Sequence, residues 1–226
     1  MKYTICTFLF TLFIGYNHIH AQQNRPLSSF THLEVTDKIN VKVVPADRNY
    51  LEVHGDLTDK FELVQQGQTL RLKMALGYQL QGNVLHVTLY HTDLWNLTAR
   101  KGAVIASENQ TLRADSIYLS SSEGSSIGLT IESDRLGINS TTGGNIQLAG
   151  KANKQTASIS LGGLYHAKSL TSQTANLTVT GGGRAEINAS QSVDLQTRAG
   201  GVIDVYGNPR NTKERKFAGG RITYFK

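Results

Sequence analysis

The sequence predicts an all-β chain wound as a β-solenoid with short strands and glycine turns, and three observations carry that prediction. A glycine returns at Gly102, Gly124, Gly144, Gly163, Gly183 and Gly201, in steps of 22, 20, 19, 20 and 18 residues. Apolar residues at alternate positions flank each return: Leu136/Ile138 and Ile146/Leu148 around Gly144, Leu177/Val179 and Ala185/Ile187 around Gly183, Val193/Leu195 and Ile203/Val205 around Gly201. No helical periodicity of useful length competes. A period near twenty holding two short strands is the pattern of a stacked coil, because one such unit cannot bury its apolar face alone and needs the coil above and below it. A disordered linker would explain the Ser/Thr/Asn/Gly content but not its phase, and an antiparallel sandwich is the stronger rival.

The elements follow in chain order. Lys2 precedes the apolar run Tyr3 to Gly15, and Ala21 supplies a small residue before Gln22, so residues 1–21 read as a secretory signal peptide. A membrane anchor competes, but a run of about 13 residues falls short of the ~20 that a spanning helix needs, and no stable transmembrane anchor is expected. Residues 22–29 read as a flexible mature amino terminus. From residue 30 to 93 the chain alternates with period two, as in Ile39/Val41/Val43, Leu70/Leu72 and Leu85/Val87/Leu89, which predicts half-buried strands forming the first coils or a cap. Val44-Pro45-Ala46-Asp47, Gly55-Asp56 and Gln66-Gly67-Gln68 mark turns between them. Residues 94–209 hold the glycine-turn repeats. A basic closing segment, 210–226, ends the single domain, with Arg221 to Phe225 completing the last coil.

Composition narrows the function. The one cysteine, Cys6, lies inside the apolar run, so the mature chain has none, which excludes disulfides, thiol catalysis and thiolate metal sites together. Removing residues 1–21 lowers the formal charge from +6 to +5, since Lys2 is the only charged residue lost. The basic residues are dispersed apart from Arg210, Lys213, Arg215 and Lys216, which lack the interleaved aromatics of a base-stacking surface; no nucleic-acid partner is expected.

A resemblance joins these observations. Leu33 to Met74, Val84 to Ala106 with its Asp93-Leu94 and Gly102-Ala103, and Val193-Asp194-Leu195 followed by Ala199-Gly200-Gly201 and Tyr206-Gly207-Asn208-Pro209 are similar to the putative autotransporter adhesin head, or GIN, domain family of exported bacterial proteins. The resemblance implies a right-handed, parallel β-helix-like solenoid of stacked coils with short strands and glycine turns and an adhesin-type role, and brings no catalytic residues with it. The chain departs from the family at Ala99-Arg100-Lys101-Gly102, where a more Gly/Ser-rich turn is usual.

Candidate chemistry is sparse. Five histidines follow residue 21, His32, His54, His86, His91 and His166, and none has the spacing of a local zinc site. Gly163 to Ser169 mimics the end of a phosphate loop, but Ala167 replaces the second glycine and no helix follows. Glu186 and Asp204 share an outward phase in neighbouring units and can stack, either as a carboxylate pair of a carbohydrate-active enzyme or as solvated charges on a strand face; the second reading is preferred. Trp95 and the tyrosines offer sugar-stacking rings at a turn edge, whereas Tyr165 falls on the inward phase and reads as core. No catalytic residue, metal site or cofactor is expected. The reading is an exported, non-catalytic envelope or surface protein, in the periplasm, at the cell surface or outside the cell, presenting polar faces to a glycan or another envelope protein; a polysaccharide lyase or hydrolase on a β-helix is the alternative.

Overall fold

The computed structural model describes residues 23–225, so the signal peptide 1–21 and the cleavage point before Gln22 lie outside the described residues. Seventeen strands join in one continuous sheet: β1 (Gln23–Pro26), β2 (His32–Val35), β3 (Asn40–Pro45), β4 (Tyr50–Gly55), β5 (Phe61–Gln66), β6 (Thr69–Met74), β7 (Leu85–His91), β8 (Asn96–Ala99), β9 (Val104–Arg113), β10 (Ser116–Ser121), β11 (Ser126–Ser140), β12 (Asn145–Ile159), β13 (Leu164–Thr180), β14 (Arg184–Arg198), β15 (Val202–Tyr206), β16 (Asn211–Phe217) and β17 (Arg221–Tyr224). The repeats stack as parallel coils, as expected. Each coil has two arms that meet at a glycine turn, and residues about nineteen apart lie in register on neighbouring coils, Ile127 beside Ile146 and Ile146 beside Tyr165.

Period-two alternation decides which side chains fill the coil. One inward column runs Val87, Val41, Ile105, Ile127, Ile146, Tyr165, Ala185, Ile203, and another runs Leu70, Leu33, Leu97, Leu119, Ile138, Ala157, Leu177, Leu195; all of these are buried. Tyr165, Ile187 and Val205 take the inward positions predicted for them, and Gln147 faces solvent. Bulk is balanced along the column, since Tyr165 stacks beside Ala185. Its hydroxyl donates to Gln155 Oε1 at 2.9 Å, Gln155 Nε2 donates to Ser172 Oγ at 2.8 Å, and Ser172 in turn donates to the Asn188 carbonyl at 2.7 Å, a polar chain inside the column with each of these groups paired.

The turns are tighter than the glycine count implies. Each is a two-residue turn with both residues at positive φ: Lys101-Gly102, Glu123-Gly124, Thr142-Gly143, Leu161-Gly162, Gly181-Gly182, Ala199-Gly200, and a further one at Ala218-Gly219. The left-handed glycines are therefore Gly143 and Gly182, not Gly144 and Gly183. Gly144 is needed for a different reason, because a Cβ there would stand 2.2 Å from the Ser121 carbonyl oxygen of the preceding coil. Successive turns are bonded to one another, Lys38 N to Lys101 O, Gly102 N to Glu123 O, Gly124 N to Thr142 O and Gly143 N to Leu161 O, at 3.0 to 3.2 Å. Buried serines fasten the same edge: Ser125 Oγ donates to the Ala99 carbonyl at 2.6 Å and Ser140 Oγ to the Gly144 carbonyl at 2.8 Å.

Both ends of the column are finished differently. At the amino-terminal end the spatial order departs from chain order: β2 lies between β6 and β8, and β3 between β7 and β9, so the first coil is second in space. Antiparallel β5, β4 and β1 then cover β6 and β7. Gln23–Pro26, expected to be flexible, is thus a strand paired with Tyr50–Val53. At the other end Leu195 stacks on Glu214 and Thr197 on Lys216, and these two charges pair at 3.3 Å. A polar plug in the inward phase ends the apolar column there and discourages further strand addition.

Candidate functional site

The outward phases of the two arms form two polar faces. On the arm that runs through β15 to β17, the column Lys42, Ala106, Gly128, Gln147, His166, Glu186, Asp204 borders a groove of about 670 Å3 whose floor is opened by Ala106 and Gly128. Glu186 and Asp204 do stack in register, as expected. The expectation that Asp204 faces solvent is corrected: it is 3% exposed, covered by Arg184 of the preceding coil, whose guanidinium meets it at 2.6 Å. Arg184 also lies 3.8 Å from Glu186, and Glu186 meets His166 Nδ1 at 2.9 Å. Both carboxylates are therefore engaged by bases, an arrangement of mutual neutralisation that stands apart from a free acid facing a free base. Among the described residues no three His, Cys, Asp or Glu side chains gather closely enough to hold a metal ion, and no helix is long and apolar enough to cross a membrane.

The other face is built for a different chemistry. Its outward columns are Asn96, Tyr118, Gly137, Thr156, Asn176, Asp194 and, two positions on, Thr98, Ser120, Asn139, Ser158, Thr178, Gln196. Tyr118, Gly137, Asn139, Thr156, Ser158, Asn176 and Thr178 of these columns line a groove of about 680 Å3 that also takes in the Asp194–Arg215 pair, which meets at 2.6 Å. Tyr118 is 43% exposed, so much of its ring faces solvent. The ring lies over Gly137 on the next coil: a Cβ there would stand 2.8 Å from Tyr118 Cδ2. Glycine in mid-strand weakens a strand and marks a close approach, and here what approaches is an aromatic ring laid along the sheet. Around it stand hydroxyls and amides, with Asn139 Nδ2 donating to Ser120 Oγ at 3.3 Å.

Trp95, singled out with the tyrosines, sits half-buried at the opposite edge from the glycine turns. Its ring meets His32 edge-on at 4.5 Å and 65°, and it borders a cleft of about 350 Å3 with Asp93, Arg113 and Asp115. Tyr165 is core, as expected. The Tyr118–Gly137 pairing was not anticipated. The usable signal was Gly137 itself, an isolated glycine between Leu136 and Ile138 where no turn is required.

Comparison with known proteins sets this architecture in a family. No curated protein matches the chain. Solved structures share its fold: a putative adhesin from Bacteroides fragilis at 18% identity and a TM-score of 0.81, covering 91% of this chain and 96% of that one; a putative adhesin from Parabacteroides merdae at 17% and 0.72, covering 91% and 96%; and a putative lipid binding protein from Parabacteroides distasonis at 16% and 0.64, covering 91% and 97%. A family model matches residues 29–209, spanning the cap and every glycine-turn repeat through Tyr206-Gly207-Asn208-Pro209. The chain belongs to the family described as putative auto-transporter adhesin, head GIN domain.

Proposed function

We propose that the chain is an exported, non-catalytic surface protein that holds neutral glycans against the face around Tyr118. The observation that carries this reading is the Tyr118 ring lying over Gly137 inside a groove lined by Thr156, Asn176, Asn139 and Thr178. A pyranose presents a C–H face that stacks on an aromatic ring and a rim of hydroxyls that both donate and accept, which amides and hydroxyls match without charge. An exposed groove gives weak affinity per site, on the order of Kd ~1 mM. Family membership and the adhesin-type neighbours support the surface role. The rival lyase or hydrolase needs a free acid and base, and the carboxylates proposed for it are tied to Arg184 and His166.

A glycan array probed with the exported chain, followed by titration of the best neutral oligosaccharide, tests the reading. Tyr118→Ala should weaken binding about tenfold with an unchanged melting curve, since the ring is surface-borne. Gly137→Val, which evicts the ring from its resting place, should do the same. Full binding by both variants would place the ligand elsewhere, and turnover of any oligosaccharide would overturn the non-catalytic reading.

A further inference from the structure

Exposed apolar side chains are not spread evenly over this solenoid. Of the nine large hydrophobics among the described residues that stand out into solvent, Val64, Leu76, Leu80 and Val84 belong to the cap and outermost coil, and Phe217, Tyr224 and Phe225 to the opposite end. Only Tyr118 and Leu161 lie between them. Among the described residues both ends also carry strands paired on one edge: β5 and β1 at the cap, β16 and β17 at the other end.

Charge divides the same way. Residues 23–26 and 46–66, which form the cap, hold five carboxylates against three bases, a net of −2. Residues 208–225 hold five bases against one carboxylate, a net of +4. Some of these are neutralised at home, Lys60 with Asp59 at the cap and Lys216 with Glu214 at the far end. Asp47 and Asp56 at the cap, and Arg210 and Arg221 at the far end, are exposed and have no ion-pair partner among the described residues. Opposite charge, apolar anchors and singly paired strands thus meet on two surfaces of one molecule that point away from each other.

From this we infer that the partner of the basic end is the acidic cap of a second copy, so that chains associate head to tail along the solenoid axis. Such a contact is heterologous: the surface used on one copy differs from that used on the next, so association continues beyond a dimer rather than closing on itself. Anionic lipid would suit the basic end but gives the acidic, apolar cap no role, whereas a second copy accounts for both ends at once. The polar plug of Glu214 and Lys216 favours docking of side chains over continuous strand addition, which makes the contact reversible and sensitive to salt.

Sedimentation velocity of the exported chain, over a concentration series at low and at high salt, reads the association directly. The expected result is growth beyond a dimer with concentration at low salt, and about tenfold weaker association at high salt. Arg210→Glu with Arg221→Glu should abolish growth, as should Asp47→Lys with Asp56→Lys. Mixing the two double variants should restore growth in alternating order, because the reversed basic end of one meets the reversed cap of the other while their untouched ends meet as in the wild type. A wild-type chain that stays monomeric, association unchanged in either double variant, or a mixture that fails to grow would each overturn the inference. A monomeric chain that instead sediments with anionic phosphatidylglycerol vesicles, and loses that in Arg210→Glu/Arg221→Glu, would assign the basic end to a lipid surface.

Discussion

Four glycines at two of the turns, Gly143-Gly144 and Gly182-Gly183, separate the forces that fix the coil. An alanine at Gly144 places its methyl 2.2 Å from the Ser121 carbonyl oxygen, 2.5 Å from its carbon and 2.9 Å from Ser122 nitrogen, all backbone of the preceding coil. Those atoms cannot rotate away, and the Ser121 carbonyl already accepts from Thr141 N at 3.0 Å, so relief requires the coils to part by about 1 Å and lengthen the bonds that hold them. Overpacking plus one weakened backbone bond gives about 2–4 kcal/mol. Gly143 has φ 70° and open space around its Cβ, so its replacement costs only the left-handed penalty, about 1 kcal/mol. Gly182, at φ 73° and equally open, should match it. At Gly183 a Cβ would meet Ile159 Cγ2 at 3.0 Å and the Thr180 and Ile159 carbonyl oxygens at 3.2 and 3.3 Å, so a shift of a few tenths of an ångström suffices and alanine should cost about 1 kcal/mol, less than at Gly144. Urea unfolding midpoints of the four alanine variants supply the ranking, given slopes that do not change. If Gly144→Ala is no more damaging than Gly143→Ala, the coils do not stack at this spacing and the account of the turn edge fails.

Other expectations follow from single residues. His91 is 3% exposed with neither ring nitrogen bonded, and burial, partly offset by Asp93, brings its pKa down to about 4. Between pH 6.5 and 4 the unfolded chain binds a proton that the folded chain refuses, so stability is full above pH 6.5 and falls as pH drops, by up to about 3 kcal/mol; urea midpoints at pH 7 and pH 5 should converge in His91→Phe and stay apart in the wild type. Asp204→Asn leaves Arg184 without its buried partner and should cost about 1 kcal/mol after allowance for the half-exposed guanidinium, whereas Glu186→Gln should fall within ~0.5 kcal/mol; equal melting curves would show that Arg184 does not depend on Asp204. Amino-terminal sequencing of the protein from its native host should begin near Gln22, and Met1 retained there would remove the export reading.

The inward phase was legible because it rests on a local rule. Ile146, Tyr165, Ile187 and Val205 could be placed from their own neighbours, since a strand fixes which of two faces each residue takes. What escaped depends on residues one coil away. Asp204 reads as an outward charge in its own strand, and only Arg184, twenty residues earlier, covers it. The insertion of the first coil between two later ones was equally hidden, because Leu33 and Val35 satisfy the same apolar demand whether they stack on Leu70 and Leu72, on Leu97 and Ala99, or on both, as they do. Turn phase lay between these cases. The period located every turn from Gly102 to Gly201, but the side-by-side glycines Gly143-Gly144 and Gly182-Gly183 hold two jobs, one conformational and one steric, that composition alone does not separate.

A fold determined by inward columns and turns leaves the outward columns free, and that freedom bears on where binding resides. Replacing Thr156, Asn176 or Ser158 alters no inward contact and should change stability by less than ~0.5 kcal/mol, so nothing in the architecture requires a hydroxyl or amide there. Gly137 is different. In mid-strand it costs about 1 kcal/mol relative to alanine, has no positive φ to excuse it, and returns no packing to the core. The only neighbour that profits from its missing side chain is the Tyr118 ring lying over it. A strand that gives up stability to seat an exposed aromatic ring is the observation on which the proposed glycan face rests. If coils from successive copies align end to end, the same ring recurs along one axis, and weak single contacts become avidity whenever a glycan is long enough to reach two of them.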